Sequence, residues 1–263
     1  MEQEESEYSI IFYHLWILYN SPMKPYRYLL SVLALFFLLS LSASAQPAQP
    51  ISIFVPGENS QLISPIDVHA LIQPGEDGLV RLTLIDRHQN LLARQLINVG
   101  SQEEALEFST RLPFEIPIES ITAMLTITTQ DDRHRPLSLR SVKISLIENG
   151  EALLEPGSGL QPWLSIAEPA PGAVINTPPL RVSGTVIPVN NNPVIFELLN
   201  ERGKAIISKQ LVVGTVGSPL NFEVDLNFLP VNNARDMRLV VRQSTGFPEL
   251  DAILDSLAIT ITP

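Results

Sequence analysis

The chain has 263 residues, a formal net charge of −11, 45% hydrophobic residues, 22 prolines and no cysteine. The missing thiol excludes thiol nucleophiles, disulfide frameworks and Cys-ligated zinc or iron–sulfur sites, and an acidic balance without a basic run is a poor match for a phosphate backbone. Tyr8, Tyr13, Tyr19, Tyr26 and Tyr28 are all the tyrosines of the chain, whereas all 13 glycines follow Ala45, so the two ends are different materials.

Residues 1–22 carry Glu2, Glu4, Glu5 and Glu7 ahead of the apolar patch from Ile10 to Leu18. An acidic start has the wrong sign for a signal sequence, so Met23 is expected to be the true start. From there Lys24 and Arg27 supply a short basic region, Leu29 to Leu41 is an unbroken run of apolar residues and serines, and Ala43-Ser44-Ala45 is a small-residue cleavage signature. Residues 23–45 therefore read as a secretory signal peptide cleaved after Ala45, because the run is shorter than the roughly 20 residues a spanning helix needs. The alternative is a retained membrane hairpin, and only then would the chain touch a membrane.

After the signal, no stretch sustains a helical period; apolar residues alternate instead in short runs between Gly, Pro, Asn and Asp. Strands are predicted near 50–55, 66–72, 79–86, 91–97, 105–114, 121–129 and 138–147, and again near 163–167, 180–187, 193–200, 205–212, 219–228, 236–243 and 254–262. The two sets are copies. An offset of 114 residues carries Val80, Leu82 and Leu84 onto Val194, Phe196 and Leu198, and Leu125 and Ile127 onto Leu239 and Val241. A one-residue slip then brings the run from Ser141 to Leu146 onto that from Ser256 to Ile261. Matched positions are the apolar ones spaced by two, so the strand faces are what the copies share.

Glu148 to Pro162 holds Gly150, Pro156-Gly157-Ser158-Gly159 and three glutamates without a base, a composition that predicts an exposed, flexible joint. The expected organisation is all-β: a signal peptide, an immunoglobulin-like β-sandwich over residues 50–147, a linker over 148–162 and a second sandwich over 163–263. A barrel with the same strand count is left open by pattern alone.

At this point the residues resemble a known family. Leu164-Ser165-Ile166, then Glu168-Pro169-Ala170-Pro171-Gly172, then Pro179-Leu180-Arg181-Val182-Ser183-Gly184, is similar to the immunoglobulin-like domain of bacterial spore germination proteins. The first copy is more divergent: Ala70 stands for Gly184, and Gln89 for the turn glycine Gly203. The resemblance implies a bacterial extracytoplasmic sandwich and no catalytic residues.

A search for chemistry returns surface features. His69 falls in a strand, His88 in a hairpin turn and His134 in a loop, and the second copy has no histidine to act as a base. Asp131-Asp132-Arg133-His134 offers metal-ligand atoms, but Arg133 and Arg135 oppose a cation; Gly75-Glu76-Asp77-Gly78 lacks the alternating oxygens of a calcium loop. No catalytic, cofactor or metal residue is assigned. The least repeat-like loops, Gly75 to Gly78 with Val189 to Asn192 and Asp131 to Arg135 with Thr245 to Glu249, lie where sandwiches present contact loops, so Asp131, Asp132, His134, Phe247 and the entrance residue Trp163 are the candidate partner contacts. The reading is a non-enzymatic, exported scaffold or protein-binding module of the bacterial envelope, its partner an envelope or extracellular protein and not nucleic acid. The alternative is a carbohydrate-binding accessory to cell-wall or polysaccharide processing.

Overall fold

A computed structural model describes residues 51–101, 104–160 and 162–263. The expected signal peptide, its cleavage site and the extension before Met23 lie outside the described residues. Within them the chain is all-β, with no helix. The first half contains β1 (Ser52–Val55), β2 (Gln61–Leu62), β3 (Ile66–Ile72), β4 (Leu79–Asp86), β5 (Leu91–Asn98), β6 (Leu106–Leu112), β7 (Ser120–Gln130) and β8 (Pro136–Ile147). The second contains β9 (Leu164–Glu168), β10 (Ala173–Ile175), β11 (Leu180–Val186), β12 (Val194–Leu199), β13 (Ala205–Leu211), β14 (Leu220–Leu226), β15 (Arg235–Ser244) and β16 (Asp251–Ile261). All strands read from the alternation are present; the additions are β2 and β10, which pair in parallel with β8 and β16.

Alternation builds a sandwich in each half. In β3 the residues Ile66, Val68, Ala70 and Ile72 turn inward and meet Val80, Leu82 and Leu84 of β4, Leu125 and Ile127 of β7, and Val142 and Ile144 of β8. The sheet β1-β3-β6 thus covers β5-β4-β7-β8. In the second half β9-β11-β14 covers β13-β12-β15-β16 around Phe196, Leu198, Phe222, Leu239 and Ile259. Burying such a side chain is worth roughly 1.5–3 kcal/mol, and without cysteine these two cores carry the fold.

The pairing registers repeat as well. Leu82 stands opposite Ile127 and Phe196 opposite Val241; Val68 stands opposite Thr110 and Val182 opposite Val224. Leu125 faces Val142, and Leu239 faces Leu257, which places the one-residue slip of the sequence copies between β15 and β16.

The linker differs from its expectation. Its Pro and Gly content suggests a free joint, yet Gln61 and Leu153 exchange backbone hydrogen bonds at 2.8 Å, Gly57 N donates to Glu155 O at 2.9 Å and Gly157 N to Phe54 O at 2.9 Å. The glycines serve close approach: a Cβ at Gly157 would lie 2.1 Å from Ile53 O, and one at Gly57 would lie 2.0 Å from Pro156 O.

A further pairing joins the halves. Strands β8 and β16 run antiparallel at their starts, with Arg140 opposite Ile253, Leu139 opposite Leu254 and Ser138 opposite Asp255, so one sheet continues from β5 to β13. Repeat-equivalent residues Leu139 and Leu254 face each other, and the flanking pairs are each other's images. The seam therefore has approximate twofold symmetry within one chain.

Candidate functional site

Among the described residues, the seam gathers eight of the fifteen buried polar or charged side chains, and it is where the sequence-selected residues fall. Residues Ala252 to Leu257 are buried without alternation, because β16 has its own core on one face and the turn of the other half on the opposite one. Leu139, Leu199, Val240 and Leu254 form a small apolar cluster there. Polar contacts follow the same symmetry: Ser256 Oγ donates to Pro136 O at 2.7 Å, and its equivalent Ser141 Oγ donates to Asp251 O at 2.6 Å.

The turn between β7 and β8 holds Asp131, Asp132 and His134. Asp131 is expected from the sequence to face a partner, and the structure corrects this: it is 0% exposed. Its Oδ1 accepts the backbone N–H of Arg133 at 3.0 Å and of Arg135 at 2.7 Å; its Oδ2 accepts Arg135 Nε at 2.7 Å and Arg238 Nε, from β15 of the other half, at 3.1 Å. Burial pushes the carboxyl up, but the Arg135 hydrogen bonds and the charges of Arg238 and Arg135 outweigh it and hold it below its ordinary value. Arg238 also donates to Glu76 Oε1 at 3.3 Å and Ser256 Oγ at 3.1 Å. The carboxylates of Glu76, Asp131 and Asp132 converge, and the guanidinium of Arg238 supplies positive charge to two of them.

Asp132 and His134 are exposed, with His134 at the left-handed φ of 62° that closes the turn. The equivalent turn of the second half carries Phe247, half-buried, whose N–H donates to Thr245 Oγ1 at 2.9 Å. Trp163 is engaged within the chain: the Arg140 guanidinium lies 4.4 Å from its ring centroid. Within each half the loop before the fourth strand lies against the end of the strand that leads into this turn. Gly75 lies against the Gln130 backbone, and Gln243 Oε1 accepts Val189 N–H at 2.9 Å while its Nε2 donates to Asn192 O at 2.7 Å.

Two buried groups at the seam were not singled out in the sequence. Arg140, 4% exposed, is drawn by burial down to about 10 and stays cationic at neutral pH. Asp255, 8% exposed, is pushed by burial up to about 7 against the Ser256 backbone N–H and the charge of Arg238. For Asp255 the signal available was a charge directly after the apolar run Ala252-Ile253-Leu254.

Away from the seam, a shallow cleft of about 430 Å³ lies on the outer face of β1-β3-β6, lined by Val55, Asp67, His69, Ser109 and Arg111. His69 Nε2 lies 3.3 Å from Glu107 Oε2, Phe54 packs edge-on at 5.1 Å between centroids, and Arg111 pairs with Asp67 at 2.9 Å. The lining side chains are open to solvent, the setting of ordinary cross-strand pairs.

No family model matches the chain, and no curated protein does. Among solved structures, it is similar to dimeric latent PorU from Porphyromonas gingivalis, with 10% identity, 82% of this chain and 24% of that chain covered, and a TM-score of 0.25. The chain spans a minor part of that protein's length, and a likeness of this degree carries no argument.

Proposed function

We propose that the chain is an exported bacterial protein whose two tandem immunoglobulin-like sandwiches act as one stiff, non-enzymatic scaffold, holding an envelope or extracellular protein through exposed turns. The observation that supports this most is the seam. Three backbone pairs, the apolar cluster of Leu139 and Leu254, and the Asp131–Arg238 ion pair tie the halves at several separate points, so a partner bound to one half is held at a set orientation to the other. The resemblance of the second copy to the spore germination domains supports an extracytoplasmic setting, and the basic region, apolar run and Ala43-Ser44-Ala45 support export.

With Asp131 and Trp163 engaged internally, the contact residues are Asp132 and His134 on one turn and Phe247 on the other. Capture from envelope extracts, comparing the native chain with Asp132→Ala/His134→Ala and Phe247→Ala, tests the assignment. A specific partner lost with one of the variants supports it; equal capture by all three sinks the turn assignment. The cleft around His69, Asp67 and Arg111, with its aromatic edge and hydrogen-bonding groups, favours the second reading, a carbohydrate-binding accessory. Saturable binding of soluble wall polysaccharide, abolished by Arg111→Ala, would establish that reading instead.

A further inference from the structure

We infer that Asp255 makes the seam a proton-sensitive joint, held tighter when its carboxyl is protonated and loosened when it ionises. The placement carries this. Asp255 sits in β16 opposite Ser138 of β8 across the seam and opposite Val241 of β15. Its neighbours Ile253 and Leu257 on the same face belong to the apolar core with Leu164 and Ile166 of β9. The carboxyl Oδ1 accepts one hydrogen bond, from Ser256 N–H at 2.9 Å. Among the described residues no ion pair includes it.

The cations around it are committed elsewhere. Arg140, on β8 and diagonal to Asp255 in the pairing, stacks over Trp163 and directs Nη1 to Ala252 O at 3.5 Å. Arg238 of β15 is shared by Asp131, Glu76 and Ser256. From β9 and from Val241 the faces presented are apolar, and on the β7–β8 turn Arg135 is paired with Asp131. An ionised carboxylate in this position is desolvated and has no direct counter-ion, whereas a protonated one is neutral and has a proton to donate. The backbone pairing between the two strands spans three residue pairs, so parting it hydrates the charge without opening either core.

The sign follows from burial raising the folded-state value from 3.8 to about 7. The stability this group contributes is full below its unfolded value and is lost as pH rises toward the folded value. Asp131 has the opposite sign, but its value is lowered, so it stays ionised between pH 5 and 8 and does not contribute to the change.

Hydrogen exchange of the whole chain, corrected for intrinsic rates, reads the joint at those amides of Ser138–Arg140 and Ile253–Asp255 that donate across the seam, since successive N–H groups of a strand point to opposite sides. Protection of these amides is expected to fall by about tenfold or more from pH 5 to pH 8, following the tenfold-per-unit linkage of a buried acid. The core amides of Leu82 and Phe196 should change less. Asp255→Asn keeps the shape and removes the charge: its seam protection should be level across the range and its melting midpoint at pH 8 above that of the native chain. His134→Gln should retain the fall. The inference is overturned by pH-independent protection in the native chain, by an undiminished fall or a failure to fold in Asp255→Asn, or by loss of the fall in His134→Gln.

Discussion

Removing the carboxylate of Asp131 leaves the Arg135 guanidinium without its ion pair and Arg238 with Glu76 alone; these two side chains are 6% and 3% exposed. Breaking a buried pair from one side is far costlier than never having built it, so Asp131→Asn should destabilise the chain by about 3–5 kcal/mol. Urea unfolding at pH 7 checks this. Because the Asp131 carboxyl is held below its ordinary value of 3.8, its contribution is present above that pH and lost as pH falls through the lower folded value; Asp131→Asn should flatten that acid limb. The sequence marked Asp131 as unusual but gave the wrong reason. Its decisive partner, Arg238, is 107 residues away and aligns with Met124 in the other copy, so neither local spacing nor the repeat points to the pair.

At the level of the strands, the hairpin β4–β5 and its counterpart β12–β13 show how a shared design tolerates a local fault. Asp86 and Asn200 occupy equivalent positions and accept backbone N–H groups two and four residues on, from His88 and Asn90 in one turn and from Arg202 and Lys204 in the other. Both turns then need a left-handed residue. Gly203 provides it at φ 72°, whereas Gln89 is forced to φ 66°, a conformation that costs an L side chain about 1–2 kcal/mol. Gln89→Gly is therefore expected to raise stability by about 1 kcal/mol, seen as a higher thermal midpoint; an unchanged or lower midpoint would mean that the side chain's 3.5 Å approach to Pro248 O matters more than the strain. These hairpins were readable because their strands alternate and their turns are polar. The pairs β2–β8 and β10–β16 were not, since two or three residues in parallel contact leave no period to detect. The seam also escaped the alternation, yet it left a trace: Leu239-Val240-Val241 and Ala252-Ile253-Leu254 are continuous apolar runs, the mark of strands covered on both faces.

For the whole molecule, the seam's twofold character has a consequence for assembly in trans. A contact in which Leu139 meets its own equivalent Leu254 would also fit two copies of either half, since backbone pairing and apolar matching are nearly self-complementary. The charges are not. Two first halves would set Asp131 against Met124 in place of Arg238, and two second halves would leave Arg238 facing Thr245 in place of Asp131, as the repeat alignment dictates. Each self-pairing therefore lacks the buried ion pair, and the second-half pairing leaves a buried cation without its anion. Expressed as separate chains, residues 46–157 and 158–263 should reassemble as a one-to-one heterodimer in preference to either homodimer, measurable by native mass spectrometry of the mixture. Arg238→Met, which places in the second half the residue type the first half carries at this position, should weaken the one-to-one association. The chain would then behave as a split protein with a built-in code for choosing its other half.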